Sequence, residues 1–241
     1  MKKILFILGL LLCAVAGLYA QEPLEGAAPT KDFLLGKYHF KDNAHFVQID
    51  AKYTTLANPN NFIQKRTYEA FKKMWEAARK DGIELVVTSA SRNFWVQRYI
   101  WEEKWNRSSV KAGVGRARNI LHYNSMCGTS RHHWGTELDF NTPKLEFWNS
   151  PEGKKTYEWL RANAHKFGFY QPYTKKGEGR STGYNEEVWH WSYFPLSTIY
   201  QQQYKWKIKE KDLKQFLGCE HVPDLKIIEH YVLGVATPPE A

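Results

Sequence analysis

The sequence SRHHWGTELD at residues 130–139 combines two histidines, one glycine and two carboxylates. It places Gly135 between a histidine, His132, and a carboxylate, Asp139. Glycine tolerates backbone conformations that other residues avoid, so a tight turn is expected here. A histidine in a loop and a carboxylate on the strand that follows are therefore expected to converge.

A second stretch, EVWH at residues 187–190, supplies another histidine. Two imidazoles and one carboxylate suit zinc, and three protein ligands leave a fourth position for water. We therefore predict a catalytic zinc site formed by His132, Asp139 and His190, with His133 as the alternative to His132. Such a zinc ion would lower the pKa of its water towards about 7 and polarise a peptide carbonyl.

A hydrolytic site also needs a proton acceptor and a fixed positive charge. Glu187 is the candidate base, but residues 187 and 190 of a regular strand point to opposite faces. Both reach the metal only if the chain bends between them or if Glu187 lies in the loop before the strand. Arg92 follows a predicted buried strand. Its guanidinium suits a carboxylate held by two parallel hydrogen bonds, or a developing oxyanion.

These motifs carry a family resemblance. The pattern SxHxxGxxxD at residues 130–139, followed by ExWH at 187–190, resembles the signature of the VanY-type D-alanyl-D-alanine carboxypeptidases. These zinc peptidases share a fold with D-Ala-D-Ala dipeptidases and the hedgehog signalling domain. The segment TSASR at 88–92, with Gln97 beyond it, resembles the family's Ser-Gly-Tyr-Arg-Ser segment. The resemblance covers roughly residues 66–195.

The resemblance implies a role for each matching position. It implies zinc ligands at His132, Asp139 and His190, a general base and later acid at Glu187, and substrate contacts from Arg92, Ser130 and Gln97. For Arg92 the resemblance implies either substrate binding or polarisation of the scissile carbonyl.

Two positions depart from the family pattern. The family usually has Ala where Glu137 stands and Tyr where Ala90 stands. We expect Glu137 to point away from the strand face of Asp139, beside the site and outside the metal shell. The departures leave the substrate open. Release of C-terminal D-Ala from peptidoglycan stem peptides is the main hypothesis. The alternatives are a cross-link endopeptidase, an L,D-carboxypeptidase, a non-catalytic zinc module that binds cell wall, and a sugar-binding protein, suggested by ten tryptophans.

The first residues predict the compartment. Lys2 and Lys3 precede an apolar run that ends at Ala20, which is typical of a secretory signal peptide over residues 1–20. We therefore expect an exported protein, periplasmic or extracellular, without a stable membrane span once the signal is removed. A lipoprotein anchor at Cys13 is the alternative.

Charge and cysteine content limit the partners. The net charge of +9 falls to +7 without Lys2 and Lys3. No motif indicates nucleic acid, so peptidoglycan is the expected partner. Cys127 and Cys219 lack metal-binding spacing, although they could pair in an oxidising compartment. The sequence does not indicate an oligomeric state.

The pattern of elements predicts one α+β domain, a mostly antiparallel sheet flanked by helices, of the hedgehog/DD-peptidase type. After an N-terminal arm and domain start at 21–65, the peptidase core runs over 66–195, and a helical tail over 196–241 packs on it. The predicted helices are 66–81, 94–105, 153–167, and tail segments near 208–217 and 224–233. The predicted strands are 83–88, 136–140 and 188–193, with loops at 106–118 and 174–185.

Overall fold

Two antiparallel sheets organise the computed structural model, which describes residues 28–54, 61–177 and 179–239. The strands are β1 (Phe46–Gln48), β2 (Phe62–Gln64), β3 (Val87–Ser89), β4 (Glu137–Phe140), β5 (Phe169–Tyr170) and β6 (His190–Tyr193). Strands β1 and β2 pair with each other, and the other four form a sheet in the order β3-β4-β6-β5. The predicted α+β class with a mostly antiparallel sheet is confirmed.

Helices surround these sheets. They are α1 (Lys31–Leu34), α2 (Lys65–Lys80), α3 (Phe94–Arg107), α4 (Gly113–Ile120), α5 (Leu145–Asn149), α6 (Pro151–Asn163), α7 (Phe194–Lys207) and α8 (Val222–Leu225). A 3-10 turn, Arg131–Trp134, directly precedes β4, and a π-helical turn, Ile228–Val232, lies near the C-terminus.

The alternation of side chains along β4 and β6 separates the core from the candidate site. Leu138 and Trp191 are opposite each other in the register and pack with Phe71 and Met74 of α2 in one apolar cluster. Their strand neighbours point to the other face. Residues 137 and 139 of β4 therefore share the face opposite this cluster.

A second apolar cluster joins α3 to the C-terminal part of the chain. Trp101 of α3 packs there with Tyr204 of α7 and with Phe216 and Val232. The indole N–H of Trp101 donates to the carbonyl of Leu217 at 2.7 Å. The segment after β6 is thus part of the same packed structure as α3.

Most predicted elements near the motifs are present. Helix 66–81 is α2, and it ends before Gly82, which has a φ of +69°. Helix 153–167 is α6 followed by a 3-10 turn, and it stops at Gly168. The predicted strands 136–140 and 188–193 appear in shortened form as β4 and β6, whereas only the last two residues of the predicted strand 83–88 lie in β3.

Other predictions are wrong. The predicted solvated loop 106–118 contains most of α4, which forms because Ala117 and Ile120 bury their side chains in the second cluster. The tail predictions missed α7, and residues 208–217 contain only a short 3-10 turn, Glu210–Asp212. The aromatic pattern of 94–105 predicts core positions for Trp95, Tyr99, Trp101 and Trp105. Trp101 and Trp105 are buried, whereas Trp95 and Tyr99 are exposed on α3.

Several predictions concern the ends of the chain and the cysteines. The signal segment 1–20 and Cys13 lie outside the described residues. Within the described ranges, no helix combines the length and apolar character needed to cross a bilayer. Cys127 and Cys219, whose pairing the sequence left open, are both free thiols in this structure.

Candidate active site

The antiparallel register of β4 and β6 brings the predicted metal ligands together. Asp139 on β4 lies directly opposite His190 on β6, with 3.0 Å between Asp139 Oδ1 and His190 Nδ1. His132 comes from the 3-10 turn before β4, and its Nε2 atom lies 3.5 Å from Asp139 Oδ2. Gly135 has a φ of +70° between them, as expected from its position in the motif. One ligand atom from each of the three residues lies within 4.8 Å of the others.

The donor atoms of this cluster fit a metal ion. His132 Nε2 and Asp139 Oδ1 are buried and make no hydrogen bond of good geometry, although each lies within 3.5 Å of another member of the cluster. Buried polar atoms are rarely left in this state, because an unmade hydrogen bond costs free energy. Two imidazole nitrogens and a carboxylate oxygen around one point are the donors that zinc prefers.

The opposite ring nitrogens of the two histidines are held by other groups. His132 Nδ1 lies 2.5 Å from the carbonyl oxygen of Ala90, and His190 Nε2 lies 2.8 Å from Glu137 Oε2. Each ring can donate its N–H to that oxygen and direct its other nitrogen to the cluster. Metal-binding histidines are commonly oriented in this way.

Glu187 lies in the loop before β6, one of the two arrangements that the sequence required. The amide of His190 donates to the Glu187 carbonyl at 3.2 Å, which closes a turn and places both side chains on one side. Glu187 Oε2 is 3.7 Å from His190 Nδ1. Burial raises the pKa of Glu187 to about 8, a shift suited to a group that exchanges a proton near neutral pH.

Arg92 follows β3 and is hydrogen-bonded to the histidine turn, which is the 3-10 turn Arg131–Trp134 that carries His132. Its amide donates to the carbonyl of His132 at 3.1 Å. Its Nε atom is buried without a partner. Arg92 lines one polar pocket together with Ser130, His132, Glu187 and His190. The structure thus assembles the predicted base, arginine and serine around the two histidines.

Gln97 is placed differently. It is fully buried in α3, and its amide donates to the carbonyl of Ser125 at 2.7 Å. Gln97 is not among the residues that line the pocket, whereas Ser125 is. A substrate contact by Gln97 stays a prediction. In the structure Gln97 holds Ser125, a residue that lines the pocket.

The alternative ligand His133 is excluded by its contacts. Its Nδ1 lies 2.6 Å from the carbonyl of Arg92, and its Nε2 accepts from the amide of Gly128 at 3.1 Å. Burial lowers the pKa of His133 to about 3, so the ring is neutral. Because both ring nitrogens are used, His133 connects two backbone segments and leaves the metal cluster to His132.

The prediction for the strand face of Glu137 is wrong. Residues two apart on a strand share a face, so Glu137 lies on the same side as Asp139 and contacts His190. Its expected position beside the metal cluster is nevertheless observed. Glu137 is paired with buried Arg131, whose Nε lies 3.4 Å from Glu137 Oε1. Nothing in the motif distinguishes Arg131 from an exposed arginine, so the sequence does not predict its burial.

Charges within the cluster shift the pKa values of its members in the metal-free protein. Burial alone would lower the pKa of His190, but contacts with Asp139 and Glu137 raise it to about 9. Burial opposes ionisation of Asp139, yet the two histidine rings hold its pKa well below the usual range. The metal-free cluster therefore favours ionised Asp139 next to protonated His190. A metal ion that binds His190 would take the place of the proton.

Aromatic and polar residues missed by the sequence analysis complete the pocket. They are Tyr123, Asn124, Ser125, Tyr173 and Tyr184. The ring of Tyr173 lies 4.7 Å from that of His190, centroid to centroid. No spacing or motif singles these residues out, because separate loops bring them together.

Comparisons with known proteins agree with this geometry. The family model described as VanY, D-alanyl-D-alanine carboxypeptidase, matches residues 60–196. The putative carboxypeptidase YodJ of Bacillus subtilis is 32% identical over 138 residues, which cover 55% of this chain and 46% of that protein. A D-alanyl-D-alanine carboxypeptidase of Enterococcus faecalis is 28% identical over 160 residues, covering 64% and 58%. The chain thus matches about half the length of these curated relatives.

A solved structure supports the fold. The LdcB LD-carboxypeptidase aligns with a TM-score of 0.53 at 23% identity, over 72% of this chain and 81% of that one. Fold and cluster together define an α+β protein with a histidine–aspartate metal site. The family match covers more than half of the chain, which therefore belongs to the VanY family of D-alanyl-D-alanine carboxypeptidases.

Proposed function

We propose that this chain is a zinc-dependent carboxypeptidase that releases C-terminal D-Ala from peptidoglycan stem peptides. The observation that carries the proposal is the cluster of His132, Asp139 and His190, with Glu187 and Arg92 around the same pocket. Membership of the VanY family and the described activity of the Enterococcus faecalis relative support the substrate class.

Three residues would hold the zinc ion: His132 through Nε2, His190 through Nδ1 and Asp139 through its carboxylate. Zinc supplies Lewis acidity that polarises a carbonyl and makes water nucleophilic at neutral pH. Glu187 takes the proton of the attacking water and passes it to the departing amine. Its buried position and raised pKa support this double role.

Arg92 lies at the boundary of two cavities. On one side is the small polar pocket of the metal cluster, and on the other is a larger groove lined by Phe40, Lys41, Phe62 and Ser91. We assign the small pocket to the C-terminal D-Ala and the larger groove to the preceding residues. Arg92 then lies near the scissile carbonyl, where its guanidinium stabilises the developing oxyanion.

Export from the cytoplasm is part of the proposal. It rests on the apolar run after Lys2 and Lys3, which is typical of a signal peptide. A stem-peptide hydrolase meets its substrate outside the cytoplasmic membrane. Detection of the protein in the periplasmic or culture fraction, shortened near residue 20, would test this part.

The activity is tested with a pentapeptide that ends in D-Ala-D-Ala. We expect the zinc-loaded protein to release one D-Ala, detected by mass spectrometry, and a chelator to abolish the release. A tetrapeptide ending in a single D-Ala after an L-centre serves as the comparison substrate. Cleavage of the tetrapeptide alone would replace the D,D assignment with L,D activity. No cleavage of either peptide or of cross-linked wall by folded, zinc-loaded protein would overturn the proposal.

A further inference from the structure

Behind His190 lies a buried ion pair that the proposed reaction does not use. Glu137 and Arg131 are both almost completely buried. Glu137 Oε1 lies 2.8 Å from Thr136 Oγ1 and 2.7 Å from Ser192 Oγ, while Oε2 lies 2.8 Å from His190 Nε2. The contacts of Oε1 fix the carboxylate so that Oε2 faces Nε2 of His190.

Arg131 fixes the carboxylate from the other side. Its Nη2 donates to Ser192 Oγ at 2.8 Å, and its guanidinium carbon lies 5.1 Å from the centroid of the Trp134 ring. With Nε 3.4 Å from Glu137 Oε1, the arginine balances the buried negative charge. The ion pair and the imidazole form one chain: Arg131, Glu137, His190.

Stability alone does not explain this pair. Burying two charges costs desolvation free energy, and replacing a buried ion pair with apolar residues is often neutral or stabilising. The contact between Glu137 Oε2 and His190 Nε2, at 2.8 Å, instead connects the pair to a candidate metal ligand.

We propose that Glu137, held by Arg131, is a positioning residue for the metal ligand His190. The carboxylate accepts the Nε2–H of the ring and keeps Nδ1 directed at Asp139 and the metal position. The pair thereby strengthens metal binding by orienting this ligand in advance. The inference rests on the zinc site of the proposed function.

Two double variants test the inference without leaving a lone buried charge. Arg131→Met/Glu137→Gln keeps an acceptor oxygen for His190, and Arg131→Met/Glu137→Ala removes it. Zinc affinity is measured by competition with a chromophoric chelator. We expect the alanine variant to bind zinc about 10–100-fold more weakly than the glutamine variant, which is the usual effect of removing a hydrogen-bond partner of a metal-binding residue. Tyr170→Phe, which removes a contact of Arg131 at 3.4 Å, is the control and should bind like wild type.

NMR provides a second readout that a merely structural role would not change. In the zinc-loaded wild type and glutamine variant, the imidazole Nε2–H of His190 should give a slowly exchanging resonance, and the alanine variant should lose it.

Equal zinc affinity in the two folded double variants would overturn the inference. Failure of the wild type to bind zinc would instead overturn the proposed function. If the alanine variant does not fold, the glutamine variant is compared with wild type. A loss of zinc affinity above tenfold with the acceptor still present would contradict the inference.

Discussion

At the residue scale, the roles in the site follow from which atoms are already occupied. Both nitrogens of His133 make hydrogen bonds to the backbone, whereas Nε2 of His132 makes no hydrogen bond and faces Asp139. The motif spacing favours His132 as the ligand but leaves His133 as an alternative. Hydrogen-bond occupancy assigns one to the backbone framework and the other to the metal.

Glu187 carries the proposed acid–base chemistry, so its substitution should separate binding from turnover. Glu187→Gln is expected to retain zinc and to lower kcat by roughly 10²–10⁴-fold, the usual contribution of a general acid–base group. The measurement is steady-state cleavage of the D-Ala-D-Ala peptide alongside metal analysis. Glu186→Gln is the matched control, because Glu186 contacts Tyr157 and does not line the pocket. Unchanged kcat in Glu187→Gln would refute the assigned role.

The raised pKa of His190 predicts how zinc binding depends on pH. In the metal-free protein, contacts with Asp139 and Glu137 outweigh burial and raise the pKa of His190 to about 9. Below that pH zinc must displace a proton, so its apparent affinity should fall about tenfold for each pH unit lowered. Chelator competition at pH 6, 7 and 8 measures the slope. A flat profile would show that His190 binds no proton in this range.

At the element scale, the turn between the 3-10 segment and β4 sets the distance from His132 to Asp139. Gly135 has a φ of +70°, and a Cβ atom there would lie 2.3 Å from Phe46 Cε1. The turn therefore needs glycine both for its backbone conformation and for the close approach of β1. The motif glycine connects the small sheet to the metal cluster.

This geometry predicts the effect of Gly135→Ala. The left-handed backbone costs about 1–3 kcal/mol with a side chain, and the contact with Phe46 adds to it. Urea unfolding should show a clear loss of stability, and zinc affinity should fall with it. Gly177→Ala is the matched control, since Gly177 has a φ of +98° but open space around its Cβ position. Equal losses in both variants would mean that the close approach to Phe46 is not important.

At the scale of the whole molecule, the metal position connects elements that are distant in sequence. His132 precedes β4, Asp139 lies on β4, and His190 begins β6. A ligand that binds only the folded protein raises the free energy of unfolding. Zinc should therefore act as a cross-link between β4, β6 and the histidine turn.

Removal of zinc should lower the melting temperature. At zinc concentrations 100-fold above Kd, binding contributes about 2.7 kcal/mol. For a chain of this size that corresponds to a shift of about 5–10 °C. Differential scanning fluorimetry with and without chelator measures it, and Asp139→Ala should melt at one temperature under both conditions. A zinc-dependent shift that persists in Asp139→Ala would place the stabilising metal elsewhere.

Local pattern and residue type, which act over a few residues, are sufficient to predict helix α2, the turn at Gly135 and the imidazole and carboxylate donors of the site. These features need no knowledge of distant contacts.

Only the tertiary structure decided the relations between distant segments. The register that places Asp139 opposite His190 depends on strand pairing across 50 residues of chain, and so do the partner of Glu137 and the burial of Arg131. Helices α4 and α7 exist because their apolar side chains pack into a cluster built from several segments. Burial and pairing are properties of the assembled fold, so a local pattern cannot specify them.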